Sequence, residues 1–299
     1  MNILICICTY NRNLQLEKCI KSFKKTYIPS NFNIKFLIVD NSINKNAENI
    51  INSLKKKTQF TIKYVSETKR GIVNARNKVL IESKKIGSDY IAFFDDDCLI
   101  DKYWFKNIKS LIKKYSIITG PQLYQKSKSN KKNLSFIFEK KYKNKLQYVN
   151  WAATNNVLFK SSILKYKKLK FDIKLNKFSM GEDQLFFSQL NKMGYKIIWS
   201  KNIKVYESYH EKRSDLKEIA RRSFRLGVLS HYIDKKIYGN FKGILINYLK
   251  TIYYLFLSLL ELIKIGKKDY FHHLTNHFSR FYGKLIGPII FQKIIFFKK

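Results

Sequence analysis

Residues 89–98 read DYIAFFDDDC. Five residues rich in β-formers, Tyr90 to Phe94, run straight into three carboxylates, Asp95, Asp96 and Asp97. A short apolar run of this kind predicts a strand buried on both faces. In an extended segment Asp95 and Asp97 point one way and Asp96 the other. Adjacent carboxylates repel and raise one another's pKa unless a cation neutralises them. A solvated turn or a helix cap is the structural alternative. The functional reading is a divalent ion, Mg²⁺ or Mn²⁺, which takes hard oxygen ligands and bridges carboxylates to phosphates. Asp95 and Asp97 would then act together, with Asp96 bracing a neighbouring loop.

Outward from this stretch, elements alternate. Residues 3–8 form a β-branched run ending at Thr9, and a helical pattern follows with Leu16, Cys19, Ile20 and Phe23 on one face. IKFLIVD (34–40) is a second strand ending in Asp40, AENIINSLKKK (47–57) a helix, FTIKYV (60–65) a third strand and IVNARNKVLIESKK (72–85) another helix. Strand–helix alternation predicts right-handed βαβ units, hence an α/β fold around a mostly parallel sheet. Ligands of such sheets bind beyond the carboxyl ends of the strands. Thr9, Asp40, Glu67 and the aspartate triplet all fall there. Beyond residue 115 the pattern loosens. Residues 117–124 read as a strand and turn, and Lys126–Lys145 as an exposed loop with a short helix at LSFIFEKKY (134–142). Residues 149–164 return to order, and a helix opens near Glu182 before a strand at 195–199. From Asp215 the chain reads as helical to its end.

Composition bounds the partners. The 299 residues carry 59 Lys and Arg against 21 Asp and Glu, a formal net charge of +38. Such a balance favours anionic partners, although a coding bias toward Lys, Asn and Ile explains many surface lysines as well. Cys6, Cys8, Cys19 and Cys98 sit in apolar or helical patterns without zinc spacing and read as core residues of a reducing compartment. The opening residues alternate like a strand and lack the basic start and cleavage site of a secretory signal.

Five segments, ICTYNRNLQLEKCIKSF (7–23), FLIVDNS (36–42), ETKRGIVNARNKVL (67–80), DYIAFFDDDC (89–98) and MGEDQLFFSQL (180–190), occur in the order and spacing of a family 2 glycosyltransferase. The resemblance covers roughly residues 1–230. It implies a GT-A fold, an αβα sandwich, and inverting transfer of a sugar from a nucleotide-diphosphate donor. By the same resemblance Thr9 and Asp40 match positions that hold the nucleobase and ribose, and Arg76 lies in a segment lining the donor pocket. Asp95 matches the first acid of the DxD motif and Asp97 the metal ligand. The family often has a second acid after Asp40; here it is Asn41. Glu182-Asp183 opens a helix, where acidic residues also suit the helix dipole. The resemblance makes Asp183 the general base toward the acceptor hydroxyl, with Glu182 orienting the acceptor. Trp151, Asn155 and Asn156 match the acceptor side, although Trp151 also suits a core position. The stretch 205–227 carries Arg213, whose guanidinium matches a leaving diphosphate, and His210, a further metal ligand or phosphate contact.

Two other classes compete. A basic nucleic-acid-binding protein lacks any recognition signature here, so no nucleic acid is expected. A nucleotidyltransferase acting on a sugar phosphate would carry a Gly- and Lys-rich phosphate loop, which CTYNRN is not.

Residues 231–299 form a separate helical extension after a catalytic domain of 1–230. Residues 243–265 are apolar and long enough to cross a bilayer. Asn247, Lys250, Thr251, Ser258 and Glu261 nevertheless make a narrow polar stripe, which favours an interfacial helix on an anionic membrane surface. The alternatives are a spanning helix or packing against the protein itself. The expected location is the cytoplasmic face of the cell membrane or the cytoplasm, with a glycan or lipid-linked saccharide as acceptor.

Overall fold

A computed structural model of the chain describes residues 1–124, 144–165, 169–207, 215–266 and 269–296. The described residues up to 207 form one compact unit and those from 215 onward a second. The expected loop at 126–145 and helix at 134–142 lie almost wholly outside the described residues.

The first unit begins with the alternation read above: β1 (Asn2–Thr9), α1 (Asn13–Phe23), β2 (Asn33–Asp40), α2 (Glu48–Lys57), β3 (Thr61–Ser66), α3 (Ile72–Ile86) and β4 (Tyr90–Asp95). It continues with β5 (Cys98–Ile100), α4 (Trp104–Lys109), β6 (Ile117–Thr119), β7 (Gln122–Tyr124), β8 (Leu146–Val149), β9 (Asn156–Lys160), α5 (Glu182–Lys192), β10 (Ile197–Ser200) and β11 (Val205–Glu207). Eight strands form the main sheet in the order β3-β2-β1-β4-β9-β6-β10-β8. Its first four strands are parallel, as βαβ connections require. Beyond β4 the sheet is mixed: β9 runs antiparallel to both β4 and β6. Strands β5, β11 and β7 make a small second sheet.

The strands bury both faces. On β1, Ile3, Ile5 and Ile7 join Phe36, Ile38 and Phe94 in one core, while Leu4 and Cys6 join Leu37, Val39, Ile91 and Phe93 in the other. Phe23 of α1 seals the first core edge-on against Phe36 and Phe94, with ring centroids 5.0 and 5.3 Å away. The four cysteines are free, and all but the half-buried Cys8 lie inside. Burial pushes the Cys8 thiol up to about 12, as suits an unreactive core residue.

Register sets the site. Thr9 lies opposite Asp40, Asp40 opposite Ser66, and Cys8 opposite Asp95. The carboxyl ends of β1, β2, β3 and β4 therefore share one edge.

The second unit contains α6 (Leu216–Tyr238), α7 (Asn240–Leu262) and α8 (Tyr270–Phe296). The sequence places a boundary after residue 230, inside α6. The structure keeps α6 whole and groups it with α7 and α8, because its apolar face, including Ile219, Val228, Leu229 and Ile233, is buried among helices.

Candidate active site

The end of β4 delivers the three aspartates to different partners. Asp96 is buried and accepts hydrogen bonds from the Thr9 hydroxyl at 2.8 Å and from Arg12 Nη1 at 3.1 Å. It therefore braces the β1–α1 loop. Asp97 also receives Arg12 Nη1, at 3.0 Å, because residues 96–97 turn rather than continue the strand. Burial lowers the affinity of the Arg12 guanidinium for its proton, but Asp96 and Asp97 outweigh it and raise the pKa.

Asp95 meets a different partner. Its Oδ1 lies 3.8 Å from Arg76 Nη2. Arg76, on α3, is buried, and its Nη1 hydrogen-bonds Glu182 Oε1 at the start of α5. One guanidinium thus joins the acid cluster at the end of β4 to the acid pair at the start of α5. Burial opposes the charge on Arg76, but Glu182, Asp95 and Asp183 together raise its pKa. The guanidinium carbon also sits over the Phe171 ring, 6.0 Å from its centroid, and Phe171 stacks on Phe186 of α5 at 4.2 Å.

The acids beside Arg76 remain under-compensated. Asp95 keeps 41% of its side-chain surface open. Desolvation by the surrounding walls is nevertheless the largest influence on it. Arg76 opposes that effect, Asp97, Asp96 and Glu207 add to it, and Asp95 rises to about 7. Glu182 is also raised, first by burial and then by Asp183, against the pull of Arg76. Its Oε2 is buried without a hydrogen-bond partner. Asp183 is half-exposed in the first turn of α5 and accepts the Gln184 N–H at 2.7 Å. Gly181, left-handed at φ 86°, turns the chain so that the helix starts on the acid pair.

The β3–α3 loop, which leads into the helix that carries Arg76, is clamped by Asn41. Its Nδ2 donates to the Glu67 and Lys69 carbonyls at 2.7 and 2.8 Å, and its Oδ1 accepts from the Gly71 N–H at 2.7 Å. An aspartate could accept from Gly71 but could not donate to the carbonyls. The departure from the family pattern at this position thus has a structural reason.

The remaining expected residues are placed as follows. Asp40 is fully buried: its oxygens accept the Ser42 and Ala47 N–H groups, each at 2.9 Å, and the Tyr64 hydroxyl at 3.0 Å. These bonds tie it into the β2–α2 loop. The Thr9 hydroxyl is directed at Asp96. Asn156 is also fully buried, accepting from the Trp104 indole at 2.9 Å and donating to the Pro121 and Ile203 carbonyls. It ties three chain segments together. Trp151 is half-buried against the second core. Asn155 stays near the site: it donates to Gln122, and Gln122 donates to Glu207, whose charge acts on Asp95. His210 and Arg213 lie outside the described residues. Sequence reasoning missed Arg12 and Gln122 as site residues. Arg12 carried a signal, since it follows a strand end in a chain whose carboxylates cluster opposite; Gln122 carried none.

Among the described residues, no three His, Cys, Asp or Glu side chains gather as a metal site. Asp95 and Asp97 are two hard oxygen donors at the turn after β4, Asp97 also paired with Arg12. That donor set suits a cation taking one or two carboxylates and completing its shell with substrate phosphates and water, so the residues present fit Mg²⁺ or Mn²⁺.

Residues 4–174, more than half of the chain, match the sequence profile of Glycosyl transferase family 2. The chain belongs to that family. It is therefore a glycosyltransferase; the matched stretch includes the acids at the end of β4 and stops before α5. The succinoglycan biosynthesis protein ExoM of Rhizobium meliloti (strain 1021) is 25% identical over 236 residues, spanning 76% of this chain and 73% of ExoM. Among solved structures, the mannosyltransferase PcManGT from Pyrobaculum calidifontis, in complex with GDP-Man and Mn²⁺, is similar with a TM-score of 0.62 at 12% identity, over 99% of this chain and 88% of that one. S. aureus TarS 1-349 in complex with UDP-GlcNAc is similar with a TM-score of 0.54 at 13% identity, over 96% and 91%. At these identities the likeness concerns the fold, which is GT-A with a helical C-terminal region.

Proposed function

We propose that this glycosyltransferase moves a sugar from a nucleotide-diphosphate donor to a hydroxyl of a glycan or lipid-linked saccharide in cell-surface polysaccharide synthesis, with inversion at the anomeric carbon. The observation that carries the reading is Arg76, which reaches Asp95 on the donor side and Glu182 on the acceptor side through one buried guanidinium. The similarity to ExoM supports polysaccharide synthesis, and the GDP-Man and UDP-GlcNAc complexes of the structural neighbours support a nucleotide-sugar donor.

Asp183 takes the proton of the acceptor hydroxyl as its oxygen bonds to the anomeric carbon, and the bond from that carbon to the diphosphate breaks with its electron pair leaving on the phosphate. Attack from the face opposite the leaving group inverts the centre. Glu182, fixed by Arg76, orients the acceptor indirectly, by setting the position of the neighbouring Asp183 at the start of α5. Asp97 and Asp95 would hold Mg²⁺ or Mn²⁺, which when bound supplies positive charge for the departing diphosphate. Asn155, with Gln122 and Glu207, lines the flank of the same cluster. A lipid-linked acceptor and the chain's positive charge agree with attachment at the anionic cytoplasmic face of the membrane.

The test is a panel of nucleotide-sugars, labelled separately in sugar and nucleotide, supplied with Mg²⁺ or Mn²⁺ and then with chelator. The expected result is cation-dependent release of the nucleoside diphosphate with the sugar label moving to acceptor or water. Transfer of the nucleotide label would contradict the reading.

A further inference from the structure

The helical unit has its polarity reversed. On α7 the buried positions are Gly243, Asn247, Thr251, Ser258 and Glu261. The large apolar side chains point outward: Phe241, Tyr248 and Phe256 are 85%, 62% and 55% exposed. The polar stripe read from the sequence therefore faces the other helices instead of water. Only 22% of the most apolar stretch of α7 is buried. The outer face of α8 continues the pattern with Phe271, Phe278 and Leu285.

Inside, polar groups meet polar groups. Ser230 of α6 donates to Asn247 of α7 at 2.7 Å, and Lys284 of α8 donates to Ser230. Ser223 donates to Asn276 at 2.7 Å, and Lys250 pairs with Asp234 at 2.6 Å. Small residues bring the backbones close: a Cβ on Gly283 would lie 2.2 Å from the Phe224 carbonyl, and one on Gly227 2.5 Å from the Arg280 carbonyl. A water-soluble bundle buries its apolar stripe and wets its polar one. Helices that pack through glycine and interhelical hydrogen bonds while presenting Leu, Ile and Phe outward match lipid as solvent. α6 differs: its exposed positions include Lys217, Arg221 and Lys236.

We infer that α7 and the outward face of α8 insert into the hydrocarbon of a lipid bilayer, with their polar groups sealed against one another and α6 on the watery side. A second copy of the chain would cover part of this surface, but it would not explain why polar groups retreat from the solvent side. The inference deepens the membrane attachment proposed above, from surface contact to insertion, and rests on it.

The test uses the full chain with phosphatidylcholine–phosphatidylglycerol vesicles. Sedimentation is followed by washes in high salt and then alkaline carbonate. A Phe256→Trp variant is examined in vesicles brominated either near the headgroup or deep in the acyl chains, with the wild type, whose Trp104, Trp151 and Trp199 all lie in the catalytic unit, as background. Insertion predicts that most protein stays with the vesicles through both washes and that the added fluorescence is quenched most by deep bromines. Release by salt, with quenching only by shallow bromines, would overturn insertion and leave surface attachment standing. No vesicle binding would overturn both. A soluble dimer that shields the introduced indole from all bromines would overturn insertion and assign the face to a second copy instead.

Discussion

A guanidinium buried beside carboxylates stays charged, and each carboxylate depends on it in turn. Arg76 holds Glu182 in a site where Glu182 has little other compensation. Arg76→Ala is expected to destabilise the protein by about 3–5 kcal/mol, because Glu182 would be left buried and unpaired. Adding Glu182→Gln should recover a large part of the loss, as measured by urea denaturation of the single and double variants. Asp95 gives a prediction of the opposite sign. Its pKa is raised from 3.8 to about 7 in the folded protein, so folding favours its neutral form. That preference is fully present below pH 3.8 and is lost as pH rises toward 7. With 41% of its side-chain surface open to solvent, screening leaves only a small part of this preference, so Asp95→Asn should raise the melting temperature at pH 8 by about 2–4 °C, the scale of a 1 kcal/mol change in a domain of this size, while abolishing transfer. An unchanged or lower melting temperature at pH 8 would show that Asp95 is not strained by its surroundings.

Elements place these residues, and their reading from sequence divides along physical lines. The strands and helices up to β4 follow from apolar runs and 3.6-residue periodicity, which are local signals. The ends of β1, β2 and β4 predict a shared edge because parallel strands start and stop together. The pairing of Arg76 with Glu182 spans 106 residues, and the Gln122–Glu207 contact spans 85. No local pattern encodes such contacts; the resemblance to a family put Arg76 and Glu182 in one site without pairing them. Asp40 and Asn156 show the converse, since a polar residue at a strand end can serve the backbone as readily as a ligand. On α7 the periodicity of the stripe was legible, but which solvent it avoids was not, because amphipathicity has the same period in water and in lipid. Asn41 allows a test at this scale. Asn41→Asp removes two donors to loop carbonyls and should destabilise the protein by about 1–3 kcal/mol. The donor KM should rise more than kcat falls, because the β3–α3 loop lies between the clamp and Arg76. A kcat effect alone would point to a role for Asn41 in the chemistry itself.

At the scale of the molecule, charge and site have separate jobs. The net charge of +38 draws the protein to anionic surfaces over about 8–10 Å at physiological salt, so vesicle association should slow as salt rises while transfer to a soluble acceptor changes little. The catalytic unit joins the acids after β4 to those at the start of α5 through Arg76, and the proposed chemistry requires those two places to form one reaction centre. Single-turnover transfer by Asp183→Asn, with donor already bound, tests this most directly. A shared centre predicts wild-type donor affinity and a transfer rate lowered about 100- to 10,000-fold, the span of a lost general base. Transfer at the wild-type rate would contradict it.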